Sequence, residues 1–144
     1  MTGVFGRGLR RAMVAAALVA ASSCAASTPT TPSTTTPATT TDTFSGTIQQ
    51  LGSATNVFRV SATGTITISL TSVAPLSTLA LGVAVMTSDG TSCINTIVQN
   101  DNSRVGTTAL VGTATAASYC VKVYDSGNIA LGGSSDYTVQ VVHP

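Results

Sequence analysis

The stretch that decides the fold runs from Thr65 to Thr71 and reads T-I-T-I-S-L-T. In an extended chain, Ile66, Ile68 and Leu70 lie on one side, and the hydroxyl side chains between them lie on the other. This period of two predicts a β-strand with one buried face and one polar face.

The same period recurs along the rest of the chain. Strong alternation predicts strands over Thr78–Met86, Ser118–Tyr124 and Tyr137–Val142, and Thr78–Met86 has small or apolar residues on both faces, as in a strand covered on both sides. Weaker segments complete the set: Thr43–Ile48, Asn56–Ala62, Cys93–Gln99 and Thr107–Thr113. Turn-forming residues separate these segments; Thr63-Gly64 predicts a tight hairpin and Asn100–Ser103 predicts a turn. About eight short strands in roughly 100 residues predict an all-β fold, a sandwich or a barrel.

Composition agrees with this fold and excludes one class of partner. Charged residues make up 8% of the 144-residue chain, and glutamate is absent. Abundant Thr and Val favour a pleated surface over a helix. Beyond the first eleven residues the chain has three cationic side chains against five aspartates, a net charge of −2. Without a basic patch, we expect no nucleic-acid partner.

The N-terminus has the organisation of a secretory signal, which we assign to residues 1–24. Three arginines precede an apolar run from Ala12 to Ala21, and small residues follow. The junction A-S-S-C, ending at Cys24, resembles a bacterial lipobox. It implies lipidation of Cys24 and a membrane anchor; the alternative is ordinary cleavage with Cys24 incidental. We therefore expect an exported protein of the cell envelope, either a membrane-anchored lipoprotein or a periplasmic or extracellular protein.

Residues 25–42 form a Ser/Thr/Pro-rich linker. Its core, STPTTPSTTTPATTT, has almost nothing to bury, and its prolines favour an extended, semi-rigid spacer. The sequence therefore predicts a disordered linker followed by one folded domain over residues 43–144.

The cysteines predict a disulfide bond within that domain. If Cys24 is lipidated or removed, Cys93 and Cys120 remain as an even pair in an exported chain. A disulfide between them is the expectation, with two free thiols as the alternative.

The sequence offers little for catalysis, and we expect no enzyme activity. The only histidine, His143, is the penultimate residue, and acid–base chemistry would have to use aspartates that stand among turn formers. Calcium is the one cofactor considered, with Asp101, Asp125 and Asn128 as weak candidate ligands. Turn formation is the favoured explanation for these three residues, and otherwise no metal or cofactor is expected.

Three segments carry a family resemblance: Phe58–Leu70, Tyr119–Asn128 and Asp136–Pro144. They resemble the early hairpin and the closing strands of bacterial pre-peptidase C-terminal domains. The resemblance implies a jelly-roll-like antiparallel β-sandwich that is non-catalytic and serves secretion, surface retention or substrate binding. This chain departs from the usual setting, since its linker leads back to the signal and no peptidase precedes the domain.

The sequence thus predicts a non-catalytic exported module that acts in binding or structural support. Its partner would be an envelope protein or a polysaccharide, besides the membrane at Cys24. Tyr124 is the one candidate platform for a sugar, although it could equally pack under a loop, and the absence of tryptophan weakens the carbohydrate hypothesis. The alternative is an accessory subunit that docks a separate secreted enzyme, such as a peptidase, through a sheet edge or an apolar patch.

Overall fold

A computed structural model describes residues 38–144, which form eight β-strands. The strands are β1 (Thr40–Gln49), β2 (Ser53–Val60), β3 (Gly64–Ala74), β4 (Leu81–Ser88), β5 (Cys93–Ser103), β6 (Thr108–Ala114), β7 (Ala117–Tyr124) and β8 (Ser134–His143). Over the described range, no helix has the length and apolar character needed to cross a membrane.

The strands form two four-stranded sheets, and all pairings are antiparallel. The first sheet has the order β1-β8-β3-β6 and the second sheet the order β2-β7-β4-β5. Every connection except the β4–β5 hairpin crosses from one sheet to the other. Two such sheets with this alternating order form a jelly-roll sandwich, which confirms the expected fold class.

Alternating residues of both sheets build the core. In β3, Ile66, Ile68 and Leu70 are buried while the residues between them are more exposed. The other strands add mainly valine, and the buried aliphatic centre consists of Ile48, Val60, Leu81, Val83, Val121, Val123, Val139 and Val141. β-branched residues dominate because they fit a pleated surface that is covered on one side.

Strand boundaries differ from the sequence prediction at three informative places. β1 begins at Thr40, so the first strand starts three residues before the predicted domain boundary. Thr63-Gly64 is not a hairpin, because β2 and β3 belong to different sheets. The turn predicted at Asn100–Ser103 is also wrong: these residues end β5, and the chain turns over residues 104–107 instead.

The predicted disulfide is confirmed. Cys93, the first residue of β5, is bonded to Cys120 of β7, with a Cα–Cα distance of 5.7 Å. The two strands are separated in the second sheet by β4. The bond therefore ties the edge strand β5 to the interior of that sheet.

Candidate functional site

An apolar groove opens along the side of the sandwich where β5 and β6 are the edge strands. It has a volume of about 210 Å³ and is termed the β5–β6 groove. Core residues reach its floor, and edge residues of β5 form its rim: Ile66, Val85, Leu110 and Tyr119 line the floor, and Ile97 and Val98 line the rim. Ile97 is 56% exposed and Val98 45% exposed. None of these six residues is charged, so the groove offers an apolar surface to a partner.

The irregular pairing of β5 creates part of this rim. Val85 pairs with Val98 and Met86 pairs with Thr96, so Ile97 is an extra residue with no partner in β4. Two further register shifts also add residues to β5, which has 11 residues against 8 in β4. Such bulges redirect side chains. Here Ile97 and Val98 are both exposed, although they are adjacent in sequence.

Among the residues that the structure describes, the rim has bulges but none of the other devices that usually protect an open sheet edge. Neither residues 94–99 of β5 nor residues 108–114 of β6 include a charged residue or a proline. Natural edge strands are commonly guarded by such residues, by a bulge or by a covering segment. The bulges of β5 are the only one of these devices within this edge, so the apolar side chains face solvent.

The outer face of the first sheet is polar instead. Its outward positions are mostly hydroxyl residues, and Ser45 of β1 lies 2.9 Å from Thr138 of β8, hydroxyl to hydroxyl. The outward residues of β1 and β8 are Thr41, Thr43, Ser45, Thr47, Asp136, Thr138, Gln140 and Val142. No aromatic ring stands among them, so this face has no platform on which a sugar ring could stack.

Tyr124, the candidate sugar platform, has one face of its ring covered. The ring packs on Gly82 of β4, where a Cβ atom would overlap it, and its hydroxyl donates to the carboxylate of Asp101. Lys122 Nζ lies 5.3 Å from the ring centroid. Burial, together with the hydrogen bond and negative charge of Asp101, raises the pKa of Tyr124 to about 12. Tyr124 therefore acts mainly as a cover for the backbone of β4.

The calcium candidates lie in neighbouring segments, and hydrogen bonds within the protein already engage several of their polar atoms. Ser126 Oγ donates to the Asp101 carbonyl over 2.7 Å, and Asn128 Nδ2 donates to Ser126 Oγ over 3.1 Å. Asn128 Nδ2 also reaches the carbonyl of Ala80. Among the residues that the structure describes, no three His, Cys, Asp or Glu side chains cluster as metal ligands would.

Asp125 has a structural role that its sequence context only partly indicates. Its Oδ1 accepts the backbone N–H groups of Gly127, Asn128 and Ile129 over 2.8 to 3.1 Å, and its Oδ2 accepts that of Leu51 over 2.9 Å. Burial raises the pKa of this carboxyl, but the four donors outweigh burial and the pKa is lowered. A calcium ion would have to displace these four bonds.

His143 is buried within β8 and has no exposed ring nitrogen to offer a substrate. Its Nε2 lies 3.0 Å from Asp42 Oδ2, and its Nδ1 lies 3.1 Å from the carbonyl oxygen of Pro144. Both ring nitrogens are therefore engaged within the protein, one with a carboxylate and one with a backbone carbonyl. The ring links β8 to β1 and packs against Phe58.

The lipidation candidate Cys24 lies outside the described residues. The groove, by contrast, was not found from the sequence. The sequence does contain one signal for it, the run I-N-T-I-V at Ile94–Val98. Apolar and polar residues do not alternate strictly there, and such an interruption is typical of a β-bulge.

Comparison with known proteins gives similarity to a solved structure but no family. No family model matches this chain, and a search of curated proteins finds no match. The solved structure is PliG of Aeromonas hydrophila, a periplasmic lysozyme inhibitor of g-type lysozyme. Its TM-score is 0.49 at 17% sequence identity, and the match covers 70% of this chain and 83% of that chain.

Proposed function

We propose that this protein is an exported, non-catalytic binding module that docks a partner protein of the cell envelope in its β5–β6 groove. The observation that carries the proposal is the exposed apolar rim, Ile97 and Val98, above a floor of core residues. A rim of this kind is unfavourable in water unless a partner covers it.

Export is supported by two independent features. The N-terminal segment has the charged, apolar and small-residue parts of a signal sequence. The domain also contains a disulfide, a bond that persists mainly in oxidising compartments. Attachment through a lipid on Cys24 belongs to the proposal.

A protein partner fits the groove better than a polysaccharide does. The groove is apolar, whereas sugars are recognised by hydrogen bonds combined with aromatic stacking. Tyr119 is the aromatic residue in the groove, and its ring stacks on Phe58 with centroids 5.9 Å apart, while its hydroxyl bonds to Thr115. Its ring is therefore part of the wall and not a free platform.

The edge strands suggest how a partner segment would enter. The bulges of β5 oppose the regular addition of a strand there. β6 pairs regularly with β3 from Leu110 to Ala114, and no strand among the described residues pairs with its outer edge. An extended segment added to β6 would direct every second side chain into the groove. Covering the two rim residues would contribute about 1.5 to 3 kcal/mol, since they are roughly half exposed.

The proposal includes the accessory role implied by the resemblance to pre-peptidase C-terminal domains. In that case the partner is a separate secreted enzyme, such as a peptidase. The resemblance concerns the strands at Phe58–Leu70, Tyr119–Asn128 and Asp136–Pro144 and assigns no residue of the groove.

The test is to place charge on the rim and to follow the partner. Ile97→Asp and Val98→Asp should each abolish chemical cross-linking to the partner in intact cells, because a buried, unpaired carboxylate opposes docking. Thr43→Asp, on the outer face of the first sheet, is the matched control and should leave cross-linking unchanged. Equal cross-linking by the wild type and by both groove variants, with all proteins folded and exported, would refute the proposal.

A further inference from the structure

A second apolar surface lies at one end of the sandwich, on loops. Leu51 in the β1–β2 turn, Leu76 in the β3–β4 connection and Leu131 in the β7–β8 connection are 78%, 61% and 91% exposed. Together these three residues are termed the leucine end. Leu76 borders a crevice that is also lined by Ala130 and Gly133, on either side of Leu131, so the leucines are neighbours in space.

Strand register places these connections at the same end of the molecule. Gln49 of β1 is opposite Ser134 of β8, and Ala74 of β3 is opposite Asp136. The end of β1, the end of β3 and the start of β8 therefore meet. The chain enters β1 at the other end, where Thr40 is opposite His143.

The leucine end is held in a defined conformation. Asp125 fixes the Leu51 backbone N–H and the start of the β7–β8 connection at the same time. Gln50 bridges the same two loops: its backbone N–H donates to Gly133 O over 3.0 Å, and its Oε1 accepts the N–H of Gly132 over 3.1 Å. Little conformational entropy remains to be lost when the leucines make a contact.

Leu51 is unfavourable at its position in two separate ways. Its φ is +56°, in the left-handed region that glycine and asparagine adopt most readily. Its side chain also exposes more than three quarters of its surface to water. Neither folding nor solubility accounts for a leucine there, whereas an apolar contact does.

The loops at this end carry little charge, which suits a lipid surface. The connections over residues 50–52, 75–80, 104–107 and 125–133 contain one carboxylate, Asp125, and one cation, Arg104, while the exposed carboxylates of Asp101 and Asp136 lie just inside the adjoining strands β5 and β8. The Asp125 carboxylate is buried and satisfied by four N–H donors, so it presents little charge outward. Arg104 is exposed and donates to the carbonyl of Thr78 in the β3–β4 connection over 2.6 Å. Protruding leucines with a cation beside them complement acyl chains beneath anionic phosphates.

The linker is long enough for this contact. Residues 25–39 would span about 47 Å in an extended, proline-rich conformation. A ten-residue strand such as β8 is about 33 Å long. A domain attached through Cys24 can therefore turn its leucine end back towards the bilayer that holds the anchor.

We propose that the leucine end inserts into the surface of this bilayer, with Leu51, Leu76 and Leu131 among the upper acyl chains and Arg104 at the lipid phosphates. The inference relies on the export and anchoring proposed above but not on the β5–β6 groove. Variants of the groove therefore test the proposed protein docking alone, and variants of the leucine end test membrane insertion alone.

The absence of tryptophan in the chain allows a position-specific test. Full-length Leu131→Trp is mixed with vesicles of three parts phosphatidylethanolamine to one part phosphatidylglycerol, and with vesicles whose acyl chains carry bromine. Thr43→Trp, on the outer face of the first sheet, is the matched control. Because both proteins share the same N-terminal segment, differences between them report the position of the indole and not general attachment. Circular dichroism and an intact disulfide establish folding.

We expect the Leu131→Trp emission to shift to shorter wavelength on vesicles and to be quenched by bromine, with no change for Thr43→Trp. Adding Leu51→Ser or Leu76→Ser should weaken the insertion equilibrium about tenfold for each leucine removed. Adding Arg104→Gln should weaken it about fivefold on vesicles with phosphatidylglycerol and little on vesicles without it. An unchanged Leu131→Trp emission on vesicles that carry the protein overturns the proposal. So does a shift that requires an added envelope protein, which would assign the leucine end to protein docking.

Discussion

Asp125→Asn is the substitution that most directly tests how the loops of the leucine end are held. The asparagine has one oxygen, so at best it keeps the three N–H groups that Oδ1 accepts and turns its own NH₂ towards Leu51 N–H. One charge-assisted hydrogen bond is lost and three become neutral. Such bonds contribute roughly 1.5 to 3 kcal/mol when charged and about half of that when neutral. Three of these bonds share one oxygen atom, so their contributions do not add, and we expect a total loss of about 2 to 4 kcal/mol in the free energy of unfolding.

The pH dependence gives the same prediction a second readout. The pKa of Asp125 is lowered in the folded state from the value of 3.8, so folding favours the charged carboxylate. Its stabilisation is complete above that value and disappears as the pH falls through the lower, folded-state pKa. The difference between wild type and Asp125→Asn should thus be constant near neutral pH and shrink below about pH 4.

Urea unfolding between neutral and acidic pH measures both effects. A domain of this size loses about 4 °C of melting temperature per kcal/mol, so thermal scans should show a drop of about 8 to 16 °C. Asp136→Asn is the matched control, since that carboxylate is exposed and accepts only the Thr47 hydroxyl. It should change stability by less than about 0.5 kcal/mol. The account of Asp125 is refuted if both variants are equally stable, or if the Asp125→Asn difference stays constant down to pH 2.

Two further predictions concern the second sheet. Replacing both Cys93 and Cys120 by alanine opens a cross-link between residues 27 apart in sequence and should reduce stability by about 3.5 kcal/mol in urea unfolding; an unchanged unfolding midpoint would contradict a structural role. Gly82→Ala should displace the Tyr124 ring, while Gly112→Ala, where a Cβ meets nothing within 4 Å, is the control. Ultraviolet titration of the phenolate should then show the Tyr124 pKa falling from about 12 towards the ordinary 10.0 in Gly82→Ala alone. Because the folded-state pKa is raised, the wild type also loses this stabilisation as the pH rises through that interval. An unshifted titration in Gly82→Ala would mean that the ring does not lie on the strand.

Periodicity was sufficient to find the strands, because alternation is a property of each strand by itself. The prediction failed where a bulge interrupts the alternation. Residues 100–103 are of types that commonly form turns. Here they remain in β5, because Asn100 and Ser103 are three positions apart while their partners Val83 and Leu81 are two apart, and a bulge takes up the extra residue. Strand order could not be derived from alternation either, since every strand carries the same pattern; the jelly-roll order came from the family resemblance.

The candidate sites were predictable only where chemistry restricts the residue type. Cysteine parity predicted the Cys93–Cys120 bond, because an exported domain leaves few alternatives for such a pair. Asp125 stood out as a polar residue in a loop, but its four donors include Leu51, which is 74 positions away. Leu51 and Leu131 gave no signal from hydrophobicity alone, since a single leucine beside glycine does not reveal whether it is buried or exposed.

Site-specific photo-cross-linking in intact cells tests the central claim, that the β5–β6 groove docks a partner protein, most directly. A photo-reactive residue is placed at Ile97, at Val98 and, for comparison, at Thr43 on the outer face of the first sheet. The account predicts adducts to one and the same envelope protein from both groove positions and no adduct from position 43. Absence of adducts from both groove positions, or equal adducts from position 43, would contradict it.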